Sequence, residues 1–322
     1  MATATKRRTA KVRAARTAKP RAVRAAKKHH IIIGASAAGL SALEAIRSVD
    51  KESAVTVLCR ERPPLYSRVG LTHFLDGTVK APGMNMRSLE YPRDMQATVL
   101  AGVTATQVDP KARSIRLSNG KTLSYDTLLV ASGSSAVVLP IPGVKLRGVY
   151  PCITRQDAIN IDKAIRTAKQ VAVIGAGLIG IQAVDAAAKR RKKVAVIEMM
   201  PHIMPAMIDP VGAKLFEDLL RAQGHGVHTG VRATEILGKA GRVTGIKLET
   251  GEVIPCQLVI MAAGVRPNLE FLEGTRIQKR QGLLVDGHQQ TSMKNVYATR
   301  MWPRPPTCCP DSGWSSPSGP RR

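Results

Sequence analysis

Polarity along the chain alternates between two periods. Ile31–Ile33 is a short apolar run that ends in a glycine turn. Leu40, Leu43, Ala45 and Ile46 then recur at helical spacing, and Val55–Leu58 is again strand-like. The same succession restarts downstream: Val171–Ile174 predicts a strand, Ile179–Arg190 a helix and Val194–Ile197 a second strand. The two β-α-β units are weak repeats, with Gly34 and Gly175 about 140 positions apart. Between them the alternation has period two. Ser114–Leu117 and Thr122–Leu123, joined by Asn119-Gly120, predict a hairpin, and Thr244–Leu248 with Glu252–Ile254, joined through Gly251, its counterpart. His29 and His30 are expected to join the preceding segment to the first strand. Apolar runs have strand length, short of the ~18 to 20 residues of a membrane-spanning helix. The pattern is that of an α/β protein with parallel sheets.

The glycine turns carry the chemistry. Gly34-Ala-Ser36-Ala37-Ala38-Gly39 follows a strand and opens a helix, where free backbone N–H groups and the helix dipole attract a dinucleotide pyrophosphate. The first glycine makes the turn, the small second position lets phosphate approach, and the third lets helix pack on strand. With Ser36 in second place the match is incomplete, and an ordinary strand–helix turn competes with it. Gly175-Ala-Gly177-Leu178-Ile179-Gly180 matches in full. Glu198 ends the following strand, where a carboxylate accepts from an adenosine ribose and repels a 2′-phosphate, favouring NADH over NADPH. The first unit has Cys59-Arg60-Glu61 at that place. Arg60 occupies the expected acid position, and Glu61 is the remaining candidate for the ribose.

Two further segments complete a pattern. Tyr125–Ser134 and Leu258–Asn268 each read as a strand running into a turn, the first ending Ala131-Ser132-Gly133-Ser134 and the second containing Ala263-Gly264-Val265-Arg266-Pro267-Asn268. Together with the two turns they resemble the pyridine nucleotide-disulfide oxidoreductase superfamily, over residues 29–299. The resemblance implies two Rossmann-like, doubly wound dinucleotide-binding domains. An FAD domain would cover 29–149 and 270–299, with an NAD domain (150–269) inserted in it. It places FAD against Gly34, Ser36, Ala37, Ala38, Gly39, Glu61, Arg68, Val103, Ser132 and Gly133. It places NADH against Gly175, Gly177, Leu178, Ile179, Gly180, Glu198 and Gly264. Disulfide reductases of the family carry a CxxxxC pair, absent here, and the branch with one redox cysteine would hold it where Val69 stands. The pattern is more similar to rubredoxin and ferredoxin reductases and to the flavin module of nitrite reductase. These imply hydride transfer from NADH to flavin, then electron transfer to a small redox protein. Arg68 resembles a cation placed near the flavin ring; an ordinary surface arginine is the equal alternative.

Charge and composition add the ends. The chain has 322 residues, 44% hydrophobic, and net charge +26; residues 1–29 hold eleven Lys or Arg and no acid, and the remainder is still +15. Residues 1–28 are expected to be a disordered basic arm. A solvated tail, non-specific attraction to nucleic acid and an organelle transit peptide are its three readings. Five cysteines (Cys59, Cys152, Cys256, Cys308, Cys309) and seven histidines show no metal-ligand spacing, and reduced thiols fit a cytoplasmic protein. From Arg300 the chain is Pro-rich and aperiodic. The family's last FAD motif runs Tyr-Ala-x-Gly-Asp-Val-Ala, whereas here Tyr297-Ala298-Thr299 is followed by Arg300-Met301-Trp302-Pro303. Codons for Met-Trp-Pro, begun one base earlier, encode Asp-Val-Ala when the Arg codon ends in G. Residues 300–322 are therefore expected to be a frameshifted replacement for a further domain of about 100 residues, with a natural disordered Pro-rich tail as the alternative. In the family that domain covers the flavin and forms the dimer interface, so homodimerisation is in doubt. A truncated, non-catalytic nucleotide-binding product with a polyanion-binding arm is the alternative function.

Overall fold

The computed structural model describes residues 27–62 and 65–299. The basic arm up to Ala26 and the segment from Arg300 onward, with Cys308 and Cys309, lie outside them. β1 (His29–Ile33), α1 (Ala37–Val49) and β2 (Ala54–Cys59) form the first unit. Short helices α2 (Gly70–Leu75) and α3 (Tyr91–Asp94) precede β3 (Ala97–Ala101). β4 (Ala105–Asp109), β5 (Ser114–Leu117) and β6 (Thr122–Ser124) make an antiparallel meander, followed by β7 (Thr127–Val130) and β8 (Ser134–Ala136).

The second unit begins with β9 (Val149–Pro151) and α4 (Arg155–Thr167). β10 (Gln170–Ile174), α5 (Leu178–Lys189), β11 (Lys193–Glu198), α6 (Pro210–Ala222) and β12 (Gly226–Thr229) follow. A second meander comprises β13 (Ala233–Lys239), β14 (Arg242–Leu248) and β15 (Val253–Pro255). β16 (Leu258–Met261), β17 (Val265–Pro267) and β18 (Val296–Ala298) close the described chain.

Two five-stranded parallel sheets result, in the orders β18-β7-β1-β2-β3 and β12-β11-β10-β16-β9. Strands covered on both faces must be apolar throughout. Accordingly β16 is buried at all four positions and β10 at its last four. β18 lies beside β7, with Tyr297 opposite Leu129, so the segment near residue 297 returns to the first sheet. The antiparallel pair β8–β17 connects the exits of the two units, with Ser134 opposite Pro267.

Both expected hairpins form, each as part of a three-stranded meander. The added strands β4 and β13 expose several of their residues, so polar side chains dilute the alternation that would have marked them. His29 and His30 belong to β1 itself rather than to its approach: His29 pairs with Ala54 across the ladder, and its Nε2 lies 2.9 Å from Thr56 Oγ1.

Helix packing in the second unit is pinned by charge. Thr154 and Asp157 form a capping box at the start of α4. One turn on, the buried Asp162 accepts from Arg190 at 2.5 Å and from Arg166 at 2.8 Å, tying α4 to the end of α5. Burial pushes the Asp162 carboxyl up, but the two guanidinium hydrogen bonds outweigh it and the group lies below its ordinary value. A lowered carboxyl stabilises the fold above its unfolded pKa of about 3.9 and loses that contribution as pH falls through the folded value. Asp162→Asn should therefore cost about 2 kcal/mol at pH 7, because it leaves the largely buried Arg190 guanidinium without its carboxylate partner. Urea denaturation at pH 7 and at pH 3 checks this: the gap from the parent should shrink in acid.

Candidate functional site

Each glycine turn is shaped by a close approach of backbone to backbone. Gly34 has φ +117°, and its N–H donates to Leu58 O at 2.8 Å. A β-carbon there would strike Ala131 O, and one on Gly39 would strike Gly34 O, so α1 sits directly on β1. Ser36 caps α1 in extended conformation without a side-chain cap bond, and its Oγ reaches Tyr66 O at 3.4 Å. Ala37 and Ala38 are exposed in the first helical turn. The N–H groups of that turn are thus free to meet a ligand.

Beside this turn lies a cleft of about 300 Å³. Gly34, Val103 and Ser132 line it as expected, together with Arg60, Thr104 and Asn268. Gly133, at φ +65°, follows on the β7 exit beside the Arg68 guanidinium. Arg68 donates to Ser134 O at 2.9 Å and pairs with Glu61 at 3.2 Å. Glu61 is not on the cleft wall. One carboxylate oxygen accepts from Arg68 at 3.2 Å and the other from Tyr66 Oη at 2.6 Å, so the residue expected at the ribose is tied to the following loop. The glycine cradle and the cleft fit the pyrophosphate and adenosine of FAD, whereas the ribose end lacks the usual carboxylate.

The second turn is built alike. Gly175 (φ +97°) donates to Ile197 O at 2.8 Å, a β-carbon on it would strike Ala262 O, and one on Gly180 would strike Gly175 O. Gly177 caps α5, and a β-carbon there would meet open space. Leu178 and Ile179 are exposed in the first turn of α5, and Gly264, at φ +101°, follows β16. Glu198, only 7% exposed, accepts from Ala176 N at 2.7 Å and from Met200 N at 2.9 Å. Those bonds fix the carboxylate at the mouth of the turn and leave lone pairs for a ribose diol. The residues fit an adenosine dinucleotide.

Sequence reasoning missed two groups of residues. Asn268 bridges the two exits: its backbone N–H donates to Gly133 O, its side chain donates to Ser132 O at 3.0 Å, and its Oδ1 accepts from Ser135 Oγ at 2.6 Å. Arg155, buried at the start of α4, donates through its backbone to Tyr66 Oη and lays its guanidinium 5.0 Å from that ring. Its side chain also holds Ala81 O and Asn85 of the first unit. Only the proximity of Arg266-Pro267-Asn268 to a strand exit hinted at the former; the latter left no local signal. The described thiols Cys59, Cys152 and Cys256 are buried and free. Burial pushes Cys152 and Cys256 up to about 12 and raises Cys59 as well. Among the described residues no cluster of three or more His, Cys, Asp or Glu could hold a metal, and no helix is long and apolar enough to cross a membrane.

The model of the pyridine nucleotide-disulphide oxidoreductases matches residues 28–299, both turns and both exits included. The chain belongs to that family. It is 30% identical over 269 residues to the epsilon subunit of NADH-dependent phenylglyoxylate dehydrogenase from Aromatoleum evansii, covering 84% of this chain and 64% of the relative. It is 33% identical over 278 residues to an NADH oxidase of Methanocaldococcus jannaschii, covering 83% and 61%. Among solved structures, the ferredoxin reductase of the CYP199A2 system from Rhodopseudomonas palustris matches with TM-score 0.80 at 27% identity, over 84% of this chain and 67% of that one. This oxidoreductase chain thus spans less than two thirds of the length of these two curated relatives.

Proposed function

We propose that the chain is the dinucleotide-binding part of a flavin-dependent NADH oxidoreductase, with FAD in the cleft at the first glycine turn and NADH at the second glycine turn. The division into an FAD domain (29–149 and 270–299) and an inserted NAD domain (150–269) is part of this reading, as are the site residues assigned from the sequence. What carries it is the paired construction of the two glycine turns, each with a helix seated on its own strand and open N–H groups at the mouth. Gly34, Gly39 and Ser132 would hold the flavin cofactor in the first cleft, where it would supply hydride acceptance from reduced nicotinamide and onward electron transfer. Arg68, fixed by Glu61 and Ser134 O beside Gly133, would set positive charge near it. The buried, protonated thiols Cys59, Cys152 and Cys256 favour a route without a cysteine relay. The acceptor is a small electron-transfer protein of the rubredoxin or ferredoxin kind. The relatives named as rubredoxin reductase and ferredoxin reductase support this choice.

The test is the visible spectrum of the purified chain with FAD, before and after anaerobic NADH. Flavin bands that appear and then bleach support the reading; a chain that takes up no FAD, or a flavin that NADH leaves oxidised, sinks it. Cofactor choice follows from Glu198. The parent chain should favour NADH over NADPH, and Glu198→Gln should narrow that preference about tenfold, since it removes the charge that opposes a 2′-phosphate. Bleaching rates with the two nucleotides measure it, and an unchanged ratio would clear Glu198 of the role.

A further inference from the structure

α6 turns its apolar side outward. A helix seated on a sheet ordinarily buries its apolar stripe and presents polar residues to water. Here the seated face carries Ala213, the half-buried Leu220 and the buried Glu217, whose Oε1 accepts from Ile203 N at 3.2 Å. On the opposite face Val211 is 74% exposed, Leu215 69%, Leu219 53% and Phe216 47%. At about 3.6 residues per turn, Val211, Leu215 and Leu219 stack in one row with Phe216 along one flank. Lys214 and Asp218 occupy the other flank, bonded to each other at 2.8 Å and both exposed. Asp209 caps the helix by accepting from Gly212 N at 2.8 Å, so the row stands on a well-formed helix. A contiguous apolar row rimmed by charge marks a contact surface.

We propose that this face binds a second copy of the chain, α6 against α6 in antiparallel orientation, about a two-fold axis at Leu215. Two-fold pairs are the commonest association of identical chains, and they require a surface that complements itself. The α6 face meets that condition. With the axis at Leu215, that side chain packs on its own copy, and Val211 packs on Leu219 of the second copy. Phe216 lies beside the second Phe216 on one flank. On the other flank the order of charge along the helix is reversed between the copies, which sets Lys214 of each against Asp218 of the other. A parallel two-fold pairing would instead lay that charged flank over Phe216 and leave it without an opposite. One helix face per copy is at the small end of specific interfaces, so the pair is a weak and reversible dimer. The contact lies in the second unit alone and is independent of which nucleotide either glycine turn holds.

Analytical ultracentrifugation of the purified full chain from about 1 to 100 µM tests the proposal. A monomer–dimer equilibrium should appear. Leu215→Glu, which brings two carboxylates together at the axis, should raise its dissociation constant at least about tenfold. Thermal melting shows whether that variant is folded. Charge reversal then reads the orientation. Lys214→Glu and Asp218→Lys should each weaken the pair when alone, because like charges then face each other between the copies. Mixed in equal amounts, the two variants should recover the dimer, since each offers the charge that the other lacks. Both variants have lost the pairing along their own helix, so recovery on mixing reports a contact between copies. A chain that stays monomeric across the range overturns the proposal. A dimer untouched by Leu215→Glu, or charge variants that fail to recover on mixing, overturns it equally.

Discussion

Gly180→Val should abolish bleaching of the flavin by NADH while leaving the flavin bound. The residue lies in the first turn of α5, and a β-carbon on it would overlap Gly175 O, a backbone atom with no rotamer to escape into. The next neighbour, Ala262, belongs to the exit of β16 and is equally fixed. Relief can come only by lifting α5 off β10, and the displaced N–H groups then no longer converge on a pyrophosphate. A shift of about 1 Å is enough to cost roughly two orders of magnitude in an oriented reaction. Overpacking of this kind also costs about 1–3 kcal/mol of stability, so a melting curve accompanies the assay. Rapid-mixing absorbance at 450 nm reads the result: the rate of NADH reduction should fall by at least about a hundredfold. Unchanged FAD uptake in the same protein separates a local lesion from a collapsed fold. A variant that bleaches at the parent's rate would remove NADH from the second turn.

How far the sequence could have led is visible at single residues. The turns were legible because a pyrophosphate cradle demands small residues at fixed spacing, and those demands are local. Gly175, Gly177 and Gly180 sit within one strand–helix turn, and the carboxylate follows at the end of the adjacent strand of the same unit. Glu61 shows where local reasoning ends. It was the remaining acid near the expected ribose position, yet it does not line the first cleft, and its oxygens accept from Tyr66 and Arg68 of the following loop. Arg155 is more remote still: its partners Tyr66, Ala81 and Asn85 lie some 70 to 89 residues earlier, and no periodicity connects them. Asn268 bonds residues more than 130 positions away, across the junction of the two units. Such contacts depend on how the units meet, which polarity patterns within either unit do not encode. Arg60 is the opposite case. Its place in the chain already contradicted the expected acid, and the structure puts it on the lining of the first cleft.

Gly39→Val is the mirror experiment and should give a colourless protein. A β-carbon on Gly39 would overlap Gly34 O, and Ile32 Cγ2 stands 3.3 Å from it on the other side. Ile32 is fully buried in β1, flanked in the core by Leu40 and Leu43 of the same helix, so neither strand nor helix can yield without opening the core. α1 must then rise from β1, carrying Ala37 and Ala38 and their N–H groups away from Gly34. FAD affinity should fall by at least about a hundredfold, the loss of two or so charge-assisted hydrogen bonds. Equilibrium dialysis against FAD measures it. The second unit has its own glycine turn and its own sheet, and Ile32, Leu40 and Leu43 pack in a different core cluster from Val171, Val173 and Leu258, so binding of NADH to the colourless variant should persist. Quenching of the chain's intrinsic fluorescence, or calorimetry with NADH, follows that binding. The two variants together form a double dissociation: Gly180→Val keeps the flavin and loses its reduction, and Gly39→Val keeps the nicotinamide nucleotide and loses the flavin. If Gly39→Val retained FAD and lost NADH, the order of the sites would be reversed.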